Sequence, residues 1–178
     1  MSRLPAPTRD SLNADAQAIW DRIAAARTGG MRGPSSILMN IPTLADRVDR
    51  IEEYFRNQAE LPAPDRELII LATVREMGAR FAWARHEVRA QNAGTRKEAV
   101  EVLRQQGPTD ALTPRERVIV DTVRTLSRTK SLPKEQFDQA LKALGQRQLI
   151  ELVTLMGQYS LIGFVIQAFE IPEESPTF

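Results

Sequence analysis

The sequence contains no cysteine and only one histidine among its 178 residues. Without a thiol, the chain cannot form a disulfide, a thiolate metal site or a cysteine nucleophile. One histidine, without cysteines or a tight group of carboxylates, does not supply a usual transition-metal shell, and no glycine-rich phosphate loop is present. We therefore expect no metal and no cofactor.

The chain also has little net charge, because 24 basic residues stand against 23 acidic ones. A balance of this kind provides no field that draws a protein to nucleic acid or to anionic lipid. A DNA-associated helical protein would need a clustered basic face, which this composition does not require. We expect neither a nucleic-acid partner nor a membrane partner.

Long hydrophobic runs are rare as well. The first fifteen residues, MSRLPAPTRDSLNAD, have no apolar core of the kind found in signal peptides, which favours a cytoplasmic location. The one long apolar stretch, residues 149–169, is interrupted by polar residues and glycines. It is more typical of a helix buried in protein than of a membrane span.

Every strongly periodic segment has helical spacing, and no strand-like alternation or tandem repeat is present. The sequence therefore predicts an all-α fold. Along the predicted helix over residues 42–58, Leu44, Val48, Ile51 and Phe55 are expected to face inward, and residues 33–42 are expected to form an irregular connection. The predicted helices cover residues 11–27, 42–58, 65–77, 79–92, a segment ending near 128, 133–144 and 146–169.

Two segments have the form of a capping box, in which a threonine and a glutamate three positions later satisfy the first backbone donors of a helix. They are Thr95 with Glu98, and Thr113 with Glu116. The second box also contains Pro114, which suits the first turn of a helix. Both segments are therefore predicted to begin helices.

The candidate site lies around His86, because histidine is the side chain that titrates near neutral pH. Ala79 and Ala82 share a helix face with His86, and Glu67 lies on the preceding helix, across a break at Gly78. If Glu67 meets His86, it holds the imidazole in one tautomer, and the pair can pass a proton to or from a ligand. The alternative is structural, since a lone helical histidine is more often a surface or core residue and a first-turn glutamate is favoured by the helix dipole.

Two aromatic residues are further candidates for contact with a ligand. Trp83 adjoins the site residues, although an aromatic residue on a helix is more often part of a core. Tyr159 lies on the last helix, where a buried hydroxyl needs a partner. The neighbouring arginines at 75, 80, 85 and 89 have the spacing of a solvated helix face.

At these residues the chain resembles the superfamily of carboxymuconolactone decarboxylases and alkylhydroperoxidase D. Its redox members carry a glutamate, two cysteines in a CxxC motif and a histidine, and Glu67, Ala79, Ala82 and His86 occupy those four places. Other members have a Glu-Trp-x-x-His form, which Trp83 and His86 match, whereas Ala82 replaces the glutamate. The resemblance extends to the segment Gly33-Pro34 to Pro42 and to the closing stretch from Phe164 to Pro172.

The resemblance implies an all-helical bundle built around a helical hairpin, assembled as homo-oligomers, usually trimers or hexamers. It implies a single domain over residues 1–178, with N-terminal helices in 1–60, the hairpin and C-terminal helices in 61–172 and a tail in 173–178. The apolar last helix independently favours self-association, because it offers more hydrophobic surface than one small bundle readily covers. The same helix could instead be central in a monomer.

The absent cysteines decide the expected chemistry. A thiol peroxidase needs one thiolate to attack peroxide and a second thiol to resolve the product, and both are missing here. We expect a small carboxylate, lactone or enolisable substrate in the space of the sulfurs, near Ala79, Arg80 and Ala82, with proton exchange at His86. Decarboxylation and isomerisation both fit such a cofactor-free enzyme. The alternative is a superfamily member that lost its thiols and serves as a small-molecule binder or an assembly protein.

Overall fold

The computed structural model describes residues 2–27, 29–172 and 178. Within these residues the chain forms α-helices and one short 3-10 turn, without a β-strand, which confirms the all-α prediction. The predicted tail lies outside the described residues, apart from Phe178. The helices are α1 (Ala14–Ala25), α2 (Pro34–Leu38), α3 (Pro42–Asn57), α4 (Ala63–Glu76), α5 (Arg80–Ala93), α6 (Lys97–Gln105), α7 (Pro114–Thr129) and α8 (Lys134–Ala168).

Local sequence signals explain several helix ends. The side chain of Asn13 accepts a hydrogen bond from the amide of Ala16 at the start of α1. The box of Thr113 and Glu116 is complete at the start of α7, which confirms that prediction. Within α8, Gly145 has φ 76, so the assigned helix consists of two segments that meet at a kink. The two helices predicted on either side of residue 145 are therefore confirmed.

Two local predictions were wrong. Residues 33–42 are not wholly irregular, because Pro34 begins the short helix α2 after Gly33, which has φ 62. Thr95 does not cap α6, whose N-cap residue is Arg96. The Thr95 hydroxyl instead donates a hydrogen bond to the carbonyl of Pro64, at 3.1 Å. A tertiary contact has replaced the local cap at this position.

The chain divides into two compact units, of which the first contains the described residues up to Gln58 together with Val165–Pro172. Its core includes Ile23, Met39 and Ala45, and partly buried side chains of α1 and α2 pack against them. Of the four α3 residues expected to face inward, Val48 and Phe55 are buried, whereas Leu44 and Ile51 are exposed. The buried face of α3 thus includes fewer of its apolar residues than the helical spacing of the sequence predicts.

A charged network joins α1 and α3 within this unit. The side chain of Asp49 is only 2% exposed. Its carboxylate forms ion pairs with the guanidinium groups of Arg22, at 2.7 Å, and Arg27, at 2.9 Å. Asp46 accepts a second bond from Arg22, at 2.8 Å. Burial acts to lower the pKa of Arg22, but its hydrogen bonds and charge interactions with Asp49 and Asp46 outweigh this and raise it. The buried carboxylate of Asp49 is thus held by fully charged partners.

The second unit contains residues 59–164 and Phe178. Helix α4 is its centre, because the continuous run Leu68–Val74 is buried and α5, α6 and α7 all contact this helix. Glu151 of α8 is also buried, and its carboxylate accepts hydrogen bonds from the amides of Glu60 and Leu61 just before α4. This contact satisfies backbone donors that the approach to α4 would otherwise leave without partners. The single domain expected from the sequence stays a prediction.

Helix α8 is long and apolar enough to cross a membrane by length and composition. However, 56% of its most apolar window is buried within the structure, as in a core helix. The segment of α8 after Gly145 carries four exposed large apolar residues, which we call the α8 outer row: Ile150, Val153, Leu161 and Phe164. Gly163 lies on another side of the helix and faces Met77. If Gly163 were replaced by a larger residue, the new Cβ atom would lie 3.0 Å from the side chain of Met77.

Candidate functional site

The site is built on the hairpin formed by α4 and α5. Helix α4 ends at Glu76, Gly78 adopts φ 64, and α5 begins at Arg80. A left-handed backbone conformation is one that glycine adopts without the steric cost paid by other residues. The tight turn allows the two helices to contact each other, which brings residues from the start of α4 beside residues from the middle of α5.

The structure brings Glu67 and His86 together. The Nδ1 atom of His86 lies 2.7 Å from Oε2 of Glu67. The side chain of His86 is 7% exposed and that of Glu67 is 16% exposed, so the contact is largely shielded from solvent. Both residues are those predicted from the sequence, and they form a short, partly buried hydrogen bond between the helices of the hairpin.

This hydrogen bond determines how the imidazole is protonated. An ionised carboxylate can only accept a hydrogen bond, so with Glu67 ionised the Nδ1–H group of His86 donates a hydrogen bond to Oε2 of Glu67. In the neutral ring, Nε2 is then left with a lone pair and can accept a proton. Glu67 also stabilises the imidazolium that would form after such a transfer. The geometry is that of a general base oriented by a carboxylate.

Tyr159 of α8 lies against the same imidazole. The two ring centroids are 4.9 Å apart, and the planes meet at 85°, in an edge-to-face arrangement. Ala79 and Ala82 are also buried, with exposures of 0% and 5%, and they lie on the face of α5 that carries His86. Tyr159 therefore belongs to the surroundings of His86, and its contact with a ligand stays a prediction.

Trp83 is fully buried and its polar group is already bonded. Its Nε1–H donates to Oε2 of Glu87 at 3.0 Å, and the guanidinium of Arg104 lies 5.4 Å from the centre of a Trp83 ring. Glu87 also pairs with Arg104. Sequence reasoning missed this group, although the spacing of Trp83 and Glu87, four positions apart on a helix, is a usable signal. Trp83 thus connects α5 to α6, and its contact with a ligand stays a prediction.

Positive charge surrounds the turn between α4 and α5. Arg80 is exposed at the first position of α5, where no side chain caps the helix. Burial lowers the pKa of Arg75, and the charge of Arg80 lowers it further, while Glu76 opposes the shift. The Arg75 guanidinium also lies 4.0 Å from the centre of the Phe178 ring. Two arginines and the positive end of the α5 dipole thus favour a negative group at this turn.

No cluster of three or more histidine, cysteine, aspartate or glutamate side chains in residues 2–27, 29–172 and 178 has an arrangement that could hold a metal ion. The contacts of His86 are instead with a carboxylate and an aromatic ring. This arrangement can move a proton and can stabilise a nearby anion through the helix end.

Comparisons with known proteins were made for both the sequence and the fold. Residues 42–123, from the start of α3 into α7, match the carboxymuconolactone decarboxylase family. A search of the curated proteins found no match. The sequence comparison thus covers the hairpin, with both Glu67 and His86.

Solved structures of similar fold extend over most of the chain. An uncharacterised peroxidase-related protein from Ralstonia eutropha, with an alkylhydroperoxidase AhpD core, has a TM-score of 0.81 at 12% identity, over 98% of this chain and 93% of its own. An uncharacterised peroxidase-related protein from a Silicibacter species has a TM-score of 0.76 at 14% identity, over 98% and 92%. A protein of unknown function from Agrobacterium tumefaciens, linked by name to antioxidant defence and AhpD, has a TM-score of 0.70 at 16% identity, over 82% and 100%.

At these identities the structural likeness establishes the fold and not the activity. The expected bundle around a helical hairpin is confirmed. The match over residues 42–123 and the shared fold make this chain similar to carboxymuconolactone decarboxylase and alkylhydroperoxidase D-like proteins, although its sequence contains no cysteine.

Proposed function

We propose that the protein is a cofactor-free enzyme that uses His86 and Glu67 for acid-base chemistry on a small carboxylate, lactone or enolisable substrate. The observation that supports this most directly is the 2.7 Å contact between His86 Nδ1 and Glu67 Oε2. It leaves Nε2 as the atom that exchanges a proton with substrate. Glu67 is the positioning residue, because it acts through the imidazole.

The reaction class follows from what the residues can do. In an isomerisation, Nε2 of His86 removes a proton from a carbon next to a carbonyl, the electron pair moves onto the carbonyl oxygen, and the proton returns to another carbon. In a decarboxylation, the bond to the carboxyl carbon breaks, CO₂ leaves with no net charge, and protonated His86 supplies the proton that replaces it. Both routes pass through an enolate, whose charge the start of α5 and Arg80 would stabilise.

Peroxide reduction by a thiol mechanism is not part of this proposal. The structural relatives from Ralstonia and Silicibacter are called peroxidase-related, but this chain has no cysteine in its sequence. Alanine stands at positions 79 and 82, where the redox members of the superfamily have their two cysteines. A thiolate nucleophile and a resolving thiol are both required for that chemistry.

A non-catalytic role as a binding or assembly protein is the second candidate, and a different observation favours it. Phe81 and Trp83 are both buried in the first turns of α5, with exposures of 6% and 0%. Large side chains in this place fill space close to the alanines. In that case the pair of Glu67 and His86 would serve as a buried structural hydrogen bond between the two helices.

A thermal-shift panel separates these two functions. Small carboxylic acids, lactones and keto acids are added to the unmodified protein, to His86→Ala and to a surface control, Asp15→Asn, which lies on α1. We expect at least one compound class to raise the Tm of the unmodified protein and of the control but not of His86→Ala, since only a ligand bound to the folded state stabilises it. Equal shifts in all three proteins, or none, would support the binding or assembly role.

We further propose that the protein acts as a homo-oligomer, a trimer or a hexamer as in the superfamily that it resembles, through the α8 outer row. Phe164 and Ile150 in this row are 66% and 58% exposed, which is costly for large apolar side chains that remain in water. Light scattering coupled to size exclusion should show an oligomer that Phe164→Lys dissociates. Val88→Lys is the matched control, because Val88 is 57% exposed outside the row. A monomeric unmodified protein would contradict the proposal.

A further inference from the structure

A cleft lies between α7 and the first segment of α8, away from the Glu67 and His86 pair. Its volume is about 310 Å³, at the lower end of the range for small-molecule sites. The polar residues that line it are Arg117, Asp121, Thr122, Glu135, Gln136 and Gln139. Neither Glu67, His86 nor the turn at Gly78 belongs to it.

Thr122 is the unusual member of this group. It is 0% exposed, and its Oγ1 is buried without a hydrogen-bond partner among the described residues. A buried hydroxyl without a partner carries a desolvation cost that a ligand can relieve by bonding to it. Thr122 is also one of the residues that line the cleft, so the unsatisfied oxygen lies within the wall of the cleft.

The charges of the cleft indicate which ligand it favours. Asp121 and Glu135 provide two carboxylates against the single guanidinium of Arg117, which already donates to the carbonyl of Asp110. The ion pairs that α7 and α8 form elsewhere in the described chain include neither carboxylate. Arg124 interacts electrostatically with Asp121, but its guanidinium donates to the carbonyl of Gly107. The cleft is therefore net negative and rich in acceptors.

We propose that this cleft binds the ammonium group of a small organic amine. The ammonium donates to Asp121 and Glu135, and a further donor or acceptor of the ligand reaches the hydroxyl of Thr122. The two glutamine side chains can bond to either kind of group. Val118 and Pro133 provide apolar surface for the carbon chain of the ligand.

Isothermal titration with putrescine tests this assignment, with 1,4-butanediol as an uncharged probe of similar length. We expect saturable binding of putrescine with a Kd of about 1 mM and none of the diol. Asp121→Asn should weaken binding about tenfold or more, since it removes a charge-assisted hydrogen bond. Asp15→Asn, which removes an exposed carboxylate from α1, should leave the Kd unchanged. His86→Ala should also bind putrescine normally, which separates this site from the proposed enzymatic one.

Thr122→Val provides a second and independent signature. It keeps the shape of the side chain and removes an unsatisfied hydroxyl, so the free protein should melt at the same temperature or higher. Its affinity for putrescine should nevertheless fall. Equal binding of the diol, no saturable binding of putrescine, or an unchanged Kd in both Asp121→Asn and Thr122→Val would overturn the proposal.

Discussion

Replacing His86 by alanine is expected to lower kcat/KM for the substrate found in the thermal-shift panel by about 10²–10⁴-fold. The reason is that the imidazole supplies the Nε2 atom that accepts and returns the proton, and the sequence has no other histidine to take its place. The measurement is a steady-state kinetic assay of the unmodified protein and the variant under the same conditions.

Two controls make this result interpretable. His86→Ala leaves a cavity at this buried position, which could lower the activity by itself. His86→Gln controls for this effect, because it keeps a polar side chain of similar size. Glu67→Gln should retain more activity than either His86 variant, because it removes the charge that stabilises imidazolium but leaves the imidazole in place. Unchanged turnover in folded His86→Ala would refute the mechanism.

The second large effect is expected on stability. Asp49→Ala should reduce the free energy of unfolding by about 1–3 kcal/mol, because Arg22 and Arg27 lose the buried carboxylate between them and keep only Asp46 and Glu52 as partners. For a chain of this size that corresponds to a fall in Tm of about 2–12 °C. Thermal unfolding followed by circular dichroism measures it.

An exposed ion pair on the same helix is the matched control. Glu53 pairs with Arg50 at 3.1 Å, and their side chains are 36% and 53% exposed. Glu53→Ala should therefore change the stability by no more than about 0.5–1 kcal/mol. If Asp49→Ala and Glu53→Ala had the same Tm, the network around Asp49 would have no special role in the stability of the fold.

The contact between Glu67 and His86 was predictable because it depends on local geometry. Helical spacing fixes the face on which His86 lies, and Gly78 marks the turn that folds one helix against the other. The capping box at Thr113 and the break at Gly145 are equally local signals, and both were confirmed. Such features require no knowledge of distant parts of the chain.

Other contacts depend on which distant segment of the chain packs against a given residue, and they could not be predicted from the local sequence. The hydroxyl of Thr95 bonds to Pro64 rather than to α6, and no pattern near Thr95 reveals that partner. Leu44 and Ile51 match the apolar stripe of α3 but remain exposed, because burial depends on packing neighbours as well as on the stripe. The pairing of Arg104 with Glu87 and the cleft beside Thr122 likewise require the position of a second helix.

The contacts of α8 also have a consequence for how the chain matures during synthesis. Glu151 binds the backbone at Glu60 and Leu61, and Tyr159 lies against His86, so the last helix contributes to the hairpin site from far along the chain. A ribosome makes the hairpin well before it makes residue 159, and contacts this distant in sequence form only after the later segment has emerged. The nascent chain therefore carries Glu67 and His86 while their surroundings are still unfinished. The contacts that Glu151 and Tyr159 make with the hairpin are therefore completed only after α8 has been synthesised.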